Sequence, residues 1–124
     1  MYELAVERTF CAAHALMLGG TQETTHGHNW HVTVVVQGEQ LHADGLLCDF
    51  HMLEKLVDRV IGGLHNADLN KTAPFDRINP TAEQVARHIA TAVLPALPRG
   101  VRLTRVSVTE APGCTATYRM DANS

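Results

Sequence analysis

The chain has 124 residues, of which 45% are hydrophobic and 19% are charged, and its formal net charge is −3 at pH 7. These values predict one soluble globular domain over residues 1–124, and the negative charge argues against a nucleic-acid or anionic-membrane partner. We expect neither a secretory leader nor a membrane span, and the 3 widely spaced cysteines indicate no disulfide framework and no thiolate zinc site, so we predict a cytoplasmic protein.

The hydrophobic period is two at the start of the chain, changes to about 3.6, and returns to two. Alternation predicts a first strand from Tyr2 and a second strand from about His26 through the valine-rich run 32–36. Gly19 and Gly20 indicate a loop between these strands.

Two helices follow. The apolar spacing predicts one that starts at Phe50, is capped by Asp49 and ends at Gly62. The second starts at Thr81, within a Thr-x-x-Gln capping pattern, and stops before Pro95. Residues 101–110 and 114–120 then predict two strands joined by an Ala-Pro-Gly turn. The fold class predicted by this order is α+β.

A His-x-His pair lies at the start of the second strand. The period of two places His26 and His28 on one face and His31 on the other. Antiparallel pairing of the first two strands would bring His14 near the pair, and three imidazoles with an open position are typical of a catalytic zinc site. The alternative is a solvated chance pair, because the chain contains 8 histidines.

Five segments in order resemble one family, the 6-pyruvoyl and 6-carboxytetrahydropterin synthases, which are zinc enzymes with the tunnelling fold. The segments are FCAAH, HGHNW, LLCDF, NPTAEQVARHI and VSVTEAPGCTATYR. The resemblance implies an antiparallel four-stranded sheet with two helices packed on one face (ββααββ). It also implies a small pterin substrate and a homo-oligomer, a hexamer in this family.

The same resemblance implies roles for single residues. His14, His26 and His28 would bind Zn²⁺, and Glu110 would anchor the pterin with support from Thr81 and Glu83. A carboxylate can accept from the ring N–H and the amino group of a pterin at once. Glu110 shares a strand face with Val106 and Val108, so its side chain would follow these buried residues and point into a pocket. The alternative is that Glu110 is a solvated residue at the strand end.

The chain departs from the family pattern at the catalytic base. The usual cysteine four residues before His26 is replaced by Gln22, which cannot accept a proton as a base. The neighbouring Glu23 instead matches a variant with Glu-x-x-His-Gly-His, whose members resemble enzymes that leave a 6-hydroxymethyl pterin for folate synthesis. Glu23 is therefore the predicted catalytic acid or base, against the alternative of an exposed loop residue.

A second departure lies in the segment LHNADLN, which resembles the family's Leu-Asp-His-x-x-Leu-Asn. His65 stands where the aspartate is expected and Asn66 where the histidine is expected. His65 could supply the imidazole of the proton relay, and we name it as the second catalytic residue. It could equally cap a carbonyl at the end of the first helix.

Two functions follow from the resemblance. The first is a zinc-dependent lyase acting on the side chain of 7,8-dihydroneopterin triphosphate or a close relative. Its product would be 6-hydroxymethyl-dihydropterin, of folate biosynthesis, or 6-carboxytetrahydropterin, of queuosine biosynthesis. The second is a catalytically silent homologue that binds zinc and pterin.

Overall fold

The computed structural model describes residues 1–121, so the last three residues of the predicted domain 1–124 lie outside the described residues. The elements follow the predicted order of strands, helices and strands, with three additional short strands. They are β1 (Tyr2–His14), β2 (Met17–Leu18), β3 (Thr21–Gln22), β4 (His26–Gly38), α1 (Phe50–Gly62), β5 (Ala67–Asp68), α2 (Ala82–Val93), β6 (Arg102–Ala111) and β7 (Cys114–Arg119). Short 3₁₀ helices cover Leu69–Lys71 and Leu94–Ala96.

One sheet carries the four long strands in the order β1-β4-β6-β7, all antiparallel. This arrangement confirms the predicted fold class. The two-residue strand β5 adds a fifth strand, parallel to β1, and β2 and β3 form a separate hairpin. The sequence did not predict these short strands because two residues are too few to show a period.

A side chain caps the N-terminus of each helix. The Asp49 side chain accepts from the His51 N–H at the start of α1, and the Thr81 side chain accepts from the Gln84 N–H at the start of α2. The helices have 13 and 12 residues, and within residues 1–121 neither has the length and apolar character needed to cross a membrane.

The core lies between the helices and one face of the sheet. Trp30, Val32 and Val34 from β4 are at most 1% exposed and pack in one buried cluster with Leu53 and Ile89 of the helices. Phe50, the first apolar position of the predicted helix, is 51% exposed and lies outside this core. It is the first residue of α1, and a helical side chain leans toward the preceding turn, which does not exist there.

Candidate metal centre and active site

The pairing of β1 with β4 brings the three predicted imidazoles together. His14 is directly opposite His26 in the register, and His28 follows on the same face of β4. The ring centroids are 4.7 Å apart for His14 and His26, 5.3 Å for His14 and His28, and 4.7 Å for His26 and His28. The three rings therefore form a cluster at the end of the inner sheet face.

Glu110 completes this cluster from the other side of β4. Its Oε1 lies 2.6 Å from Nε2 of His14 and 3.4 Å from Nε2 of His28. Glu110 follows the buried Val106 and Val108 at a spacing of two on β6, so it lies on the inner face, and the register between β6 and β7 shifts beside it, between Thr109 and Ala111. One donor atom from each of the four residues lies within 4.8 Å of all the others.

Hydrogen bonds to backbone carbonyls fix the tautomers of two of the histidines. Nδ1 of His14 lies 2.8 Å from the Pro80 carbonyl, and Nδ1 of His26 lies 3.0 Å from the Thr24 carbonyl. A carbonyl only accepts, so each Nδ1 carries a proton and Nε2 is the ring nitrogen that faces the cluster.

The charges of the cluster fit a bound cation. His14 is fully buried, and its Nε2 lies 2.6 Å from Oε1 of the Glu110 carboxylate. Within residues 1–121, Nε2 of His14 and Nε2 of His28 are buried without a hydrogen-bond partner. Such a contact is unfavourable in a low dielectric unless a positive charge lies between the atoms. Either a proton on Nε2 or a metal ion bound by the cluster can supply that charge.

The protonation of His28 supports the same interpretation. Burial lowers the pKa of His28 below its ordinary value, and the adjacent Glu110 carboxylate opposes this shift only in part. The ring is therefore neutral near pH 7, and the neutral imidazole is the form that binds metals.

Glu23 lies at the rim of the cluster. Its Oε1 is 3.7 Å from Nε2 of His26, and the same oxygen accepts a hydrogen bond of 2.9 Å from the Leu16 N–H. The side chain is 29% exposed, so it contacts both the cluster and solvent. A carboxylate in this position can accept a proton from a molecule bound at the cluster and can return it.

A cavity of about 450 Å³ opens beside Glu110 and His28. Its volume lies in the range of small-molecule sites. Its lining comprises Gly27, His28, Asn29, His31, Thr109, Glu110, Ala111 and Pro112. The cluster of three histidines and Glu110, the Glu23 carboxylate at its rim and this cavity thus lie at the same end of the sheet.

Comparison with known proteins identifies the family. Residues 3–121 match the family model described as 6-pyruvoyl tetrahydropterin synthase. The chain belongs to the 6-pyruvoyl tetrahydropterin synthase family. This finding confirms the family that the sequence motifs resemble, and it confirms an enzyme of the 6-pyruvoyl tetrahydropterin synthase type.

Three members show the range of the 6-pyruvoyl tetrahydropterin synthase family. The chain is 38% identical over 102 residues, 82% of its length and 83% of the relative's, to a dihydroneopterin monophosphate aldolase of Pyrococcus furiosus. It is 32% identical to a 6-carboxy-5,6,7,8-tetrahydropterin synthase of Bacillus subtilis, covering 95% of this chain and 85% of that one. The structure of the Caenorhabditis elegans 6-pyruvoyl tetrahydropterin synthase superposes with a TM-score of 0.82 at 24% identity, covering 98% of both chains, and confirms the tunnelling fold.

Three other residues predicted from the family resemblance make no polar contact with the cluster. Nδ1 of His65 accepts a hydrogen bond of 3.1 Å from the Cys11 N–H on β1. His65 therefore does not cap a helix carbonyl through this nitrogen. The Thr81 hydroxyl caps α2, and Glu83 lies exposed in the first turn of that helix. Within residues 1–121, none of the three forms a hydrogen bond or ion pair with the cluster.

Backbone groups that orient the site were missed by the sequence analysis. The carbonyls of Pro80 and Thr24 and the N–H of Leu16 hold His14, His26 and Glu23, respectively. Every non-proline residue carries the same backbone groups, so no side-chain pattern could have indicated these three. Only the fold brings them to the site.

Proposed function

We propose that the protein is a zinc-dependent pterin lyase that shortens the side chain of 7,8-dihydroneopterin triphosphate or a close relative such as the monophosphate. The proposed product is 6-hydroxymethyl-dihydropterin, a precursor for folate biosynthesis. The observation that carries the proposal is the Glu23 carboxylate, 3.7 Å from Nε2 of His26, in a loop whose usual cysteine is replaced by Gln22. The Pyrococcus furiosus relative, named as an aldolase, supports the same reaction class.

The cluster residues would hold the metal. His14, His26 and His28 would bind Zn²⁺ through Nε2, because imidazole nitrogens and carboxylates are its usual ligands. When bound, zinc polarises a substrate hydroxyl and lowers its pKa. The backbone carbonyls fix His14 and His26, whereas within residues 1–121 the Glu110 carboxylate accepts no hydrogen bond. Glu110 and His28 are therefore the members of the cluster that no such hydrogen bond fixes, and of the two Glu110 is the proposed substrate contact.

Glu23 would carry out the proton transfers of the cleavage. Its carboxylate accepts the proton of the second side-chain hydroxyl, and the bond between the first and second side-chain carbons then breaks. The hydroxyl-bearing second carbon leaves as an aldehyde, and the electron pair passes into the conjugated imine of the dihydropterin ring. Glu23 returns the proton to the first carbon, which becomes the hydroxymethyl group.

Contacts to the pterin ring are part of the same proposal. Glu110, Thr81 and Glu83 are the proposed pterin-binding residues, and His65 is the proposed second catalytic residue. Glu110 borders the 450 Å³ cavity, which supports a contact with substrate. Within residues 1–121, His65, Thr81 and Glu83 form no hydrogen bond or ion pair with the cluster, and we propose that they contact the pterin across a subunit interface.

The sheet edges support a homo-oligomer. The strand β1 pairs with β5 only at Ala12 and Ala13, and Cys11 bonds to His65 and Asn66, so within the described residues its edge over residues 2–10 is free. The outer edge of β7 is free as well. Free edges favour pairing between subunits, and we propose a ring-forming assembly, a hexamer as in the family. Native mass spectrometry tests it. A cytoplasmic location stays a prediction from composition.

The decisive experiment is to incubate the purified protein with dihydroneopterin triphosphate and, separately, with the monophosphate, and to identify the pterin product by mass. A 6-hydroxymethyl product supports the proposal. A 6-carboxytetrahydropterin product would instead favour 6-carboxytetrahydropterin synthase activity. The 32% identity to the Bacillus subtilis enzyme supports this alternative. No turnover on either would favour a silent zinc- and pterin-binding homologue, consistent with the altered relay at His65 and Asn66.

A further inference from the structure

Two asparagine side chains hold the segment that follows His14. The Ala15 N–H donates to Oδ1 of Asn70 at 2.8 Å, and Nδ2 of Asn70 donates to the Ala15 carbonyl at 2.8 Å. A primary amide presents an acceptor and a donor side by side, so one asparagine satisfies both backbone groups of one residue. Asn70 therefore binds Ala15 as a neighbouring strand would.

Asn79 makes the same pair of contacts two residues later. The Met17 N–H donates to Oδ1 of Asn79 at 2.8 Å, and Nδ2 of Asn79 donates to the Met17 carbonyl at 2.9 Å. Asn79 directly precedes Pro80, whose carbonyl accepts from Nδ1 of His14. The segment is thus fixed from two sides, by residues 55 and 62 positions away in the sequence.

Leu16, between the two held residues, contacts the proposed base. Its N–H donates to Oε1 of Glu23 at 2.9 Å, and its carbonyl accepts from the Glu23 N–H at 2.9 Å. The position of the Glu23 carboxylate therefore depends on the direction of the Leu16 N–H. That direction depends in turn on Ala15 and Met17.

We propose that Asn70 and Asn79 are positioning residues that fix the Leu16 N–H and thereby hold the Glu23 carboxylate beside the metal cluster. The role in turnover rests on the proposed function, in which Glu23 moves the proton. Neither asparagine belongs to the cluster, so their loss should spare metal binding. A displacement of about 1 Å in a catalytic group can cost about 10²-fold in rate.

The test is a double-mutant cycle on kcat with Asn79→Ala, Asn70→Ala and Glu23→Gln, each loaded with zinc. Each asparagine variant should lower kcat by about 10- to 100-fold while KM and bound zinc stay near the wild-type values. In the Glu23→Gln background the same changes should cost less than about 3-fold, because the positioned group is already lost. Asp49→Ala, which removes a helix cap remote from this segment, controls for a general loss of stability.

An equal loss of kcat in both backgrounds would overturn the proposal, because the asparagines would then act independently of Glu23. Unchanged kcat in both asparagine variants would overturn it as well. If Asn70→Ala does not fold, the partly exposed Asn79 supplies the test alone.

A second readout does not depend on turnover. Amide hydrogen exchange at Leu16 should be faster in Asn70→Ala and Asn79→Ala than in wild type, and comparably faster in Glu23→Ala. If wild type turns over no dihydropterin phosphate, the proposed function fails, and this exchange then decides the positioning role. Unchanged exchange at Leu16 in both asparagine variants would overturn it.

Discussion

Nε2 of the fully buried His14 lies 2.6 Å from Oε1 of Glu110. The Pro80 carbonyl accepts from Nδ1 of the ring, so Nε2 is the nitrogen that faces the carboxylate. A shared cation makes the contact favourable. The relationship therefore links a residue predicted to bind metal with one predicted to bind the pterin.

We expect His26→Ala and His28→Ala to lose zinc, because each removes one Nε2 from the cluster. His31→Ala is the matched control. His31 lies on the same strand but on the opposite face, where its Nδ1 is 3.3 Å from Oγ1 of Thr9, and its replacement should leave the metal content unchanged. Elemental analysis of the purified variants measures the result. Full zinc retention in both His26→Ala and His28→Ala would exclude the site.

Replacement of Glu110 separates its two roles. In the cluster geometry, Glu110→Gln should weaken zinc binding by about tenfold to a hundredfold, the usual scale for a group that supports a metal site, because the amide keeps the shape but loses the charge. Competition with a chromophoric chelator measures the zinc affinity. If zinc affinity is unchanged and calorimetry shows weaker pterin binding, Glu110 is the pterin anchor that the family resemblance implies.

The sequence predicted the long elements and the three histidines because both depend on local period and register. The four long strands, α1 and α2 follow from alternation and helical spacing, and the His-x-His pair on one face follows from the strand period alone. The contact of Glu110 with His14 could not be predicted in this way. The period places Glu110 on the inner face of β6, but the contact also depends on the order of strands in the sheet, which puts β6 beside β4 and leaves no period in the sequence.

Acid should destabilise the metal-free protein through its buried imidazoles. Burial lowers the pKa of His88, which packs edge-on against Phe75 at 5.2 Å, and likewise that of His28. The unfolded chain therefore takes up these protons at higher pH than the folded chain does. The free energy of unfolding is greatest above about pH 6.5. It falls as the pH drops through the lowered pKa values that the two histidines have in the folded state.

His88→Gln should reduce this pH dependence of the free energy of unfolding, because it removes one of the two histidines whose pKa is lowered by burial. Urea unfolding of chelated protein between about pH 7 and about pH 5 gives the slope. His42→Gln, at an exposed position, serves as the control. An identical slope in wild type and His88→Gln would contradict the prediction.

Gly38 should not tolerate a side chain. A Cβ at this position would lie 2.6 Å from the Gly100 carbonyl oxygen and 2.5 Å from Cδ1 of Leu47, and the carbonyl belongs to the backbone. We expect Gly38→Ala to lower the free energy of unfolding by about 1 to 3 kcal/mol, the usual cost of overpacking. Gly62→Ala is the matched control, because a Cβ there meets nothing within 4 Å, and thermal unfolding compares the two. Equal stability in both would contradict the expected clash.

The last prediction concerns Glu23, because it decides between an enzyme and a binding protein. Glu23 is the only ionisable side chain between His14 and His26, and its carboxylate already contacts the cluster. Glu23→Gln should keep zinc and pterin binding and should lower kcat by about 10²- to 10⁴-fold, the scale of a positioned general acid or base. Quenched-flow assays with dihydroneopterin phosphates measure kcat, and zinc analysis of the same samples verifies the site.

Gln22→Cys is the complementary variant for the same prediction. It restores the usual residue of the family, but it should rescue little activity in Glu23→Gln, because a thiol needs a neighbouring base and the relay positions here hold His65 and Asn66. Nδ1 of His65 instead accepts a hydrogen bond from the Cys11 N–H, so this nitrogen is not available as a base for the thiol. Equal kcat in wild type and Glu23→Gln would show that the catalytic base does not lie in this loop. His65 of an adjacent subunit would then be the next candidate. Strong rescue by Gln22→Cys would instead show that the thiol chemistry of the family survives here without its relay.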